Sequence, residues 1–237
     1  MPKTAIIIPC YNEESRLDRT QVKKLADLHD LHIYLANDGS NDKTQQLIDT
    51  ICSENLNCFA INYQKNEGKS ATIYKSINEI NLQNEYEYIG YFDADFSTPS
   101  EELIKMINYI ETNNTDFIFA SRIKTLNASI IRKTHRHIIG RSILSIINFK
   151  HKLEIYDTQC GCKIFSKQMI TEGFKDSFLT TWLFDVEVFV RLKNKNLLKQ
   201  GTEFPIKQWR DVEGSKLKMS HFPKIFKEII ILYTKYN

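Results

Sequence analysis

The sequence predicts an α/β fold: a mostly parallel sheet flanked by helices, built as a single domain. Three observations carry this expectation. Short β-branched runs alternate with helical patterns through the first half of the chain, the order that builds parallel sheets with crossover helices. The loops after the first four strand-like runs are rich in Asp, Asn, Glu, Gly and Lys. At 237 residues the chain can bury one large core, and it shows no linker, repeat or low-complexity segment.

The elements follow in order. "TAIIIP" reads as the first strand; its apolar run is too short for a signal peptide or a membrane span. An amphipathic stretch from Glu13 to about His29 reads as a helix, "HIYLA" as the second strand, and a helix follows Asn41. "CFAINY", a helix from about Gly68 to Ile80, "YEYIGYF", a helix from Ser100 and "DFIFA" continue the alternation. Right-handed crossovers set the handedness of these units, with helices expected on both faces. Beyond Phe119 the pattern weakens into a basic helical region, "YDTQCGCKIFS", an amphipathic helix around Phe184 to Lys195, a strand-like "GTEFPIKQW" and a terminal helix from about Pro223.

Composition removes several function classes. A net charge of +3 is too small to mark a nucleic-acid binder, so no nucleic-acid partner is expected. The five cysteines, Cys10, Cys52, Cys58, Cys160 and Cys162, lack paired zinc-type spacing and read as free thiols in a reducing compartment. The first strand-to-helix turn has no G-x-G-x-x-G, which argues against a dinucleotide-dependent enzyme.

Ligands of open α/β sheets lie beyond the carboxyl ends of the strands. The loops there read "PCYNEE", "NDGSND", "KNEGKS" and "DADFSTP". In the last, Asp93 and Asp95 straddle Ala94. Mg²⁺ and Mn²⁺ take hard oxygen ligands, and Mg²⁺ keeps water and substrate phosphates in its shell, so one or two protein carboxylates suffice. The same residues also fit a turn in which Asp95 and Ser97 start the next helix.

Taken in order, "IIIPCYNEESRL", "ANDGSNDKT", "NEGKSATI" and "YFDADFSTP" resemble the nucleotide-sugar-binding half of glycosyltransferase family 2, which has the GT-A fold. "DTQCGCKIF", "FDVE" and "WRDVEGSKL" resemble its polyprenyl-phosphate hexosyltransferase branch, the dolichyl-phosphate glucosyltransferases in particular. The resemblance implies a nucleotide-sugar-binding half over residues 1–120 and an acceptor-binding half over 121–237. It implies Pro9, Tyr11, Asn12 and Glu13 around the nucleoside, Asp38 at the base, and Gly68 and Lys69 along the nucleotide. Asp93 and its neighbour Ala94 would approach the ribose or metal, and Asp95 would ligate the metal. Arg122 would face phosphate, and the basic segment that follows, with Arg132, His135, Arg136 and Arg141, is rich in groups that suit phosphate oxygens. Gln159, Gly161 and Lys163 would form an acceptor-side or sugar-side loop, or else a structural hairpin turn. "WRDVEGSKLKMS" reads either as a mobile loop whose Arg210, Ser215 and Lys216 close over the diphosphate once donor is bound or as a plain surface loop before a helix.

Asp185 of "FDVE" has two family readings, a base for a hydroxyl acceptor or a group that hydrogen-bonds the sugar or orients a cation. Its local alternative is a helix cap. Two positions depart from the family pattern. Asn37 stands where many relatives carry an acid, and Cys162 where an aromatic residue is common, with looser packing expected near Lys163.

The implied reaction is inverting, metal-dependent transfer of a hexose, glucose favoured over mannose, to a polyprenyl phosphate. The donor would be a nucleotide sugar, UDP-glucose ahead of GDP-mannose, and the cofactor Mg²⁺ or Mn²⁺. A phosphate monoester is largely dianionic at neutral pH, so the site needs cations to hold the nucleophile more than it needs a base. A hydroxyl-acceptor transferase and a non-catalytic nucleotide-sugar-binding module are the alternatives. A lipid-borne acceptor implies a cytoplasmic protein, peripheral at the membrane surface or on a membrane protein. "IIGRSILSIINF" and "HFPKIFKEIIILYTKY" have the pattern of interfacial helices, or else pack on the sheet. His135 and His137 read as solvent-facing.

Overall fold

A computed structural model describes residues 2–132, 134–212 and 222–236, without the side chains of 135–137. The strands are β1 (Thr4–Cys10), β2 (Leu31–Asp38), β3 (Cys58–Tyr63), β4 (Tyr88–Phe92), β5 (Phe117–Ser121), β6 (Ser129–Ile131), β7 (Cys162–Ser166), β8 (Gly201–Pro205) and β9 (Gln208–Arg210). The helices are α1 (Arg19–Ala26), α2 (Thr44–Glu54), α3 (Lys69–Leu82), α4 (Ser100–Asn113), α5 (Thr134–His151), α6 (Lys167–Gly173), α7 (Phe184–Asn194) and α8 (Phe222–Lys235), with one 3-10 turn at Leu198–Gln200.

The main sheet runs β3-β2-β1-β4-β7-β5-β8. Every pairing in it is parallel except those of β7, which is antiparallel to both β4 and β5. The alternation expected through the first half is present. The central place of β7 is not something alternation announces, because it joins strands far away in sequence.

The strands alternate side chains between two cores, as the pleat demands. Ile6 and Ile8 of β1 join Val22, Leu25, Ile48, Ile51, Leu103 and Met106 on one face. Ala5 and Ile7 join α3, α6, α7 and α8 residues on the other. Cys162 is buried with its Sγ 3.5 Å from Met106 Sδ, so the expected loosening beside Lys163 is absent: the thiol and thioether fill the space together. All five cysteines are free.

The first helix is shorter than the sequence implies. Residues 13–18 make a turn in which Arg16 and Leu17 donate to the Glu13 carbonyl, at 3.0 and 2.9 Å. The helix starts only after Asp18, whose carboxylate accepts from Thr20 N at 2.8 Å and Gln21 N at 3.2 Å. The local cap wins over the periodicity.

Helices α5 and α8 lie together. Tyr233 donates its hydroxyl to the Ile146 carbonyl, and Lys150 Nζ donates to that of Tyr233. Each helix buries one face, through Leu144 and Ile147 or through Ile225, Ile229 and Leu232, yet exposes Ile138, Ile146 and Phe149 or Phe226 and Ile230. The packing reading of these segments therefore holds for their inner faces. No helix among the described residues is long and apolar enough to cross a membrane.

Candidate active site

A cleft of about 690 Å³ opens at the carboxyl ends of the central parallel strands. The end of β1 and the loop after it contribute Pro9, Tyr11 and Glu13 to its lining, but not Asn12. Asn12 takes φ +53° and braces two loops: its N–H donates to Ser40 Oγ at 3.0 Å and its Oδ1 accepts from Asn41 N at 3.0 Å. That corrects the nucleoside contact expected of it.

Asp38 lines the cleft, yet its oxygens accept from Glu67 N at 2.9 Å and Gly68 N at 2.8 Å. It holds the third loop against the second. Gly39, at φ +62°, is where these loops cross; a Cβ there would stand 2.6 Å from Asn66 N. Asn37 is buried behind them, donating to Gln45 Oε1 at 2.7 Å while accepting from Ser40 Oγ at 2.6 Å. A carboxylate could not donate, so the amide suits this brace.

Gly68 (φ +91°) turns the chain into α3, whose first residue is Lys69. Lys69 Nζ lies 2.5 Å from Asp93 Oδ1. Burial pulls this ammonium down, but Asp93 and Asp185 outweigh it and the net shift is upward, so Lys69 remains charged.

Asp93, Ala94 and Asp95 all line the cleft. Asp95 Oδ1 accepts from Ser97 N at 3.0 Å, so the turn reading holds, and it leaves Asp95 in the cleft lining. Burial, then the charge of Asp93, raise the Asp95 carboxyl. A desolvated acid beside a like charge gains from a cation, and Asp93 already has one in Lys69. Asp95 thus fits a hard metal ion. Among the described residues no cluster of three His, Cys, Asp or Glu side chains gathers, so such an ion would take its remaining ligands from water and diphosphate.

Gly161 passes directly beneath Asp93, its carbonyl accepting from Asp93 N at 2.9 Å. Beside it, Gln159 lines the cleft; its Nε2 is buried and meets no acceptor among the described residues. Arg122 and Arg132 also reach the cleft. Arg122 grips Asp157 as a fork, Nε to Oδ2 at 2.6 Å and Nη2 to Oδ1 at 2.8 Å, with its guanidinium 5.1 Å from the Trp209 ring. Burial alone would raise the Asp157 carboxyl, but the Arg122 charge and hydrogen bonds hold it well below the usual range. A phosphate would share Arg122 with this carboxylate. Arg141 is turned away: it donates to the Tyr156 carbonyl at 2.6 Å and stacks on that ring.

Lys163 is absent from the cleft. It is fully buried on β7, donating to Asp185 Oδ1 and to the Cys160 carbonyl, both at 2.6 Å. Tyr91 donates its hydroxyl to the same Oδ1. Asp185 does line the cleft, from the first turn of α7, but no side chain caps that helix at its N-cap position, so the cap reading of Asp185 falls. Lys163 and Tyr91 have claimed its oxygen. Arg210 is exposed on β9 and does not line the cleft; its backbone N–H donates to the Ser97 carbonyl at 2.9 Å. Ser215 and Lys216 lie outside the described residues, as do the side chains of His135, Arg136 and His137.

Sequence reasoning missed Asp157, Trp182, Lys224 and the α5 face of Ile139, Ile143 and Ile147, all near or in the cleft wall. The spacing by fours on α5 marks one helix face and could have been found; nothing marked Lys224.

The mostly parallel sheet, with four polar loops at its carboxyl end and an acidic pair on the fourth, has the GT-A fold. Crystal structures of glucosyl-3-phosphoglycerate synthase from Mycobacterium tuberculosis share the fold. One in complex with UDP gives a TM-score of 0.72 at 11% identity, covering 98% of this chain and 79% of that one. Another, with Mn²⁺ and UDP-glucose, gives 0.72 at 10% identity over 99% and 78%.

The profile of glycosyl transferase family 2 matches residues 5–174, and the chain belongs to that family. It is 29% identical to a dolichyl-phosphate beta-glucosyltransferase of Saccharomyces cerevisiae, over 98% of this chain and 74% of the relative. It is 28% identical to one of Trichomonas vaginalis, over 95% and 71%. An uncharacterized protein of Methanocaldococcus jannaschii is 27% identical over 94% of this chain and 96% of its own.

Proposed function

We propose that this glycosyltransferase moves glucose from UDP-glucose to the phosphate of a polyprenol, with inversion at the anomeric carbon. The observation that carries the reading is the alignment of nearly the whole chain with dolichyl-phosphate beta-glucosyltransferases. The two ends of the cleft support it. The charged loops after β1 to β4 suit a nucleotide sugar, and Ile139, Ile143 and Ile147 with Leu183 offer an apolar wall to a lipid. In this reading residues 1–120 take the donor and 121–237 the acceptor.

The nucleoside rests by Pro9 and Tyr11, and the hexose lies toward Asp185. Asp95, with Asp93, would hold Mg²⁺ or Mn²⁺, which when bound supplies positive charge to the departing diphosphate. Arg122 and Arg132 draw the acceptor phosphate in, and Asp157 keeps the Arg122 fork aimed. An acceptor oxygen bonds to the anomeric carbon as the bond to UDP breaks on the opposite face. No proton has to leave a phosphate dianion, so Asp185 acts as a hydrogen-bond acceptor fixed by Lys163 and Tyr91.

The exposed Ile138, Ile146, Phe149, Phe226 and Ile230, with lysines such as Lys150 and Lys227 beside them, dock α5 and α8 in the headgroup layer at the cytoplasmic face of a membrane. A transfer assay tests the reading by offering labelled UDP-glucose and GDP-mannose in parallel with a short polyprenyl phosphate, with and without Mn²⁺ or Mg²⁺. Lipid-extractable label from UDP-glucose, lost without metal, is expected. Label from neither donor, or only in a soluble product, overturns it.

A further inference from the structure

Helix α7 has no side-chain cap of its own at Leu183. The N–H groups leading into it go to two glutamates. Glu187, within α7, accepts from Leu179 N at 3.0 Å and Thr180 N at 2.9 Å. Glu228, on α8, accepts from Thr181 N at 3.0 Å, Trp182 N at 3.0 Å and Leu183 N at 2.8 Å, and from the Thr181 hydroxyl at 2.9 Å. Two buried carboxylates therefore satisfy five consecutive backbone donors at the positive end of a helix dipole, and one of them arrives from a separate helix.

The stretch so held is cleft wall: Trp182, Leu183 and Asp185 all face the cavity. One turn before Glu228 on the same face of α8, Lys224 lines the cavity too. Among the described cations of the cleft, Arg16, Lys69 and Arg122 are each ion-paired, with Glu13, Asp93 and Asp157. Lys224 makes no ion pair or hydrogen bond with any described residue. Helix α8 is bonded to α5, which carries the apolar wall of Ile139, Ile143 and Ile147, and to residues 181–183.

We propose that the inner face of α8 belongs to the acceptor site: Lys224 binds the acceptor phosphate, and Glu228 is a positioning residue that sets the wall beneath it. This rests on the phosphate-acceptor reading above. An exposed ammonium with no partner among the described residues, at the junction of an apolar wall and a charged cleft, suits the head of a lipid phosphate. Glu228 caps α7 in trans, so that α8 must be in place before Trp182 and Asp185 are.

The test needs no turnover. The chain has two tryptophans, Trp182 and Trp209, and both line the cleft, so the intrinsic emission of the unsubstituted chain reports titration with farnesyl phosphate, with farnesol as control and UDP-glucose in parallel. Lys224→Gln should weaken farnesyl phosphate about tenfold with UDP-glucose unchanged, and Lys224→Arg should restore it. Glu228→Gln should shift the tryptophan emission and weaken farnesyl phosphate while sparing UDP-glucose; Glu228→Asp, which keeps both oxygens, should recover part of each. Equal loss for both ligands, or no loss with Lys224→Gln, overturns the proposal. Lys224 is exposed, so its variants decide the matter even where those of Glu228 fail to fold. A parent protein that ignores farnesyl phosphate would instead sink the phosphate-acceptor reading itself.

Discussion

Gly161 lies so close beneath the carboxylate of Asp93 that a Cβ at that position would stand 1.9 Å from Oδ2. The obstructing atoms belong to the end of a side chain, not to backbone. Gly161→Ala should therefore fold, at a cost of about 1–3 kcal/mol, by pushing Asp93 off Lys69. Misplacing a group by about 1 Å costs about 100-fold in rate. A thermal melt beside kcat/KM checks this, and an active alanine variant would show that the Asp93–Lys69 pair is dispensable.

Ionising Asp95 works against its surroundings, since burial and the neighbouring Asp93 both raise its carboxyl. Removing that charge should relieve the fold. Asp95→Asn is expected to melt higher than the parent in chelator at pH 7, yet to lose both activity and the rise in Tm that Mn²⁺ gives the parent. Differential scanning fluorimetry with and without Mn²⁺ reads both; an unchanged Mn²⁺ response would place the metal elsewhere.

The Arg122–Asp157 fork ties stability to pH. The Asp157 carboxyl sits far below its unfolded value of about 3.9, so its stabilisation is complete above that value and is lost as pH falls toward the native one. Asp157→Asn, which leaves Arg122 buried without its partner, should cost about 3–5 kcal/mol at pH 7. The gap to the parent should narrow below about pH 4. Urea titrations at both pH values measure it, and a gap that stays constant would contradict the ion-pair account.

Asp185→Asn separates the two chemistries of the family. A general base contributes about 10²–10⁴-fold, whereas transfer to a phosphate should fall by about tenfold or less, provided that UDP-glucose binding shows the variant folded. The proviso is needed because Lys163 would lose its carboxylate in the core.

Phe149→Asp and Phe226→Asp address the outer faces of α5 and α8, where these rings are 86% and 65% exposed. Each should reduce co-sedimentation with anionic vesicles and leave UDP-glucose binding untouched. Persistent sedimentation of the double variant would remove the membrane surface from the reading.

The first four strands, the helices between them and the loops at their ends were all legible, because each is written in a local period or a local run of turn residues. What those loop residues do was only partly legible. Asn12 and Asp38 were expected at the nucleotide, yet both brace neighbouring loops, since backbone N–H groups of the next loop lie within reach once the strands stand side by side. Lys163 was expected at the substrate. It points instead into the core facing Tyr91 and Asp185, because β7 pairs antiparallel between β4 and β5 and its pleat turns residue 163 to the α7 face.

By itself the sequence determined the order of strands and helices as far as β5, the family and the kinds of groups offered to a ligand, because periodicity and motif spacing are properties of neighbouring residues. The partner of each charge was decided only in three dimensions: Asp93 with Lys69, Arg122 with Asp157, the α7 N-terminus with Glu228. Electrostatic pairing depends on distances of a few ångströms between segments far apart in the chain, and those distances exist only after the sheet has set its strand order.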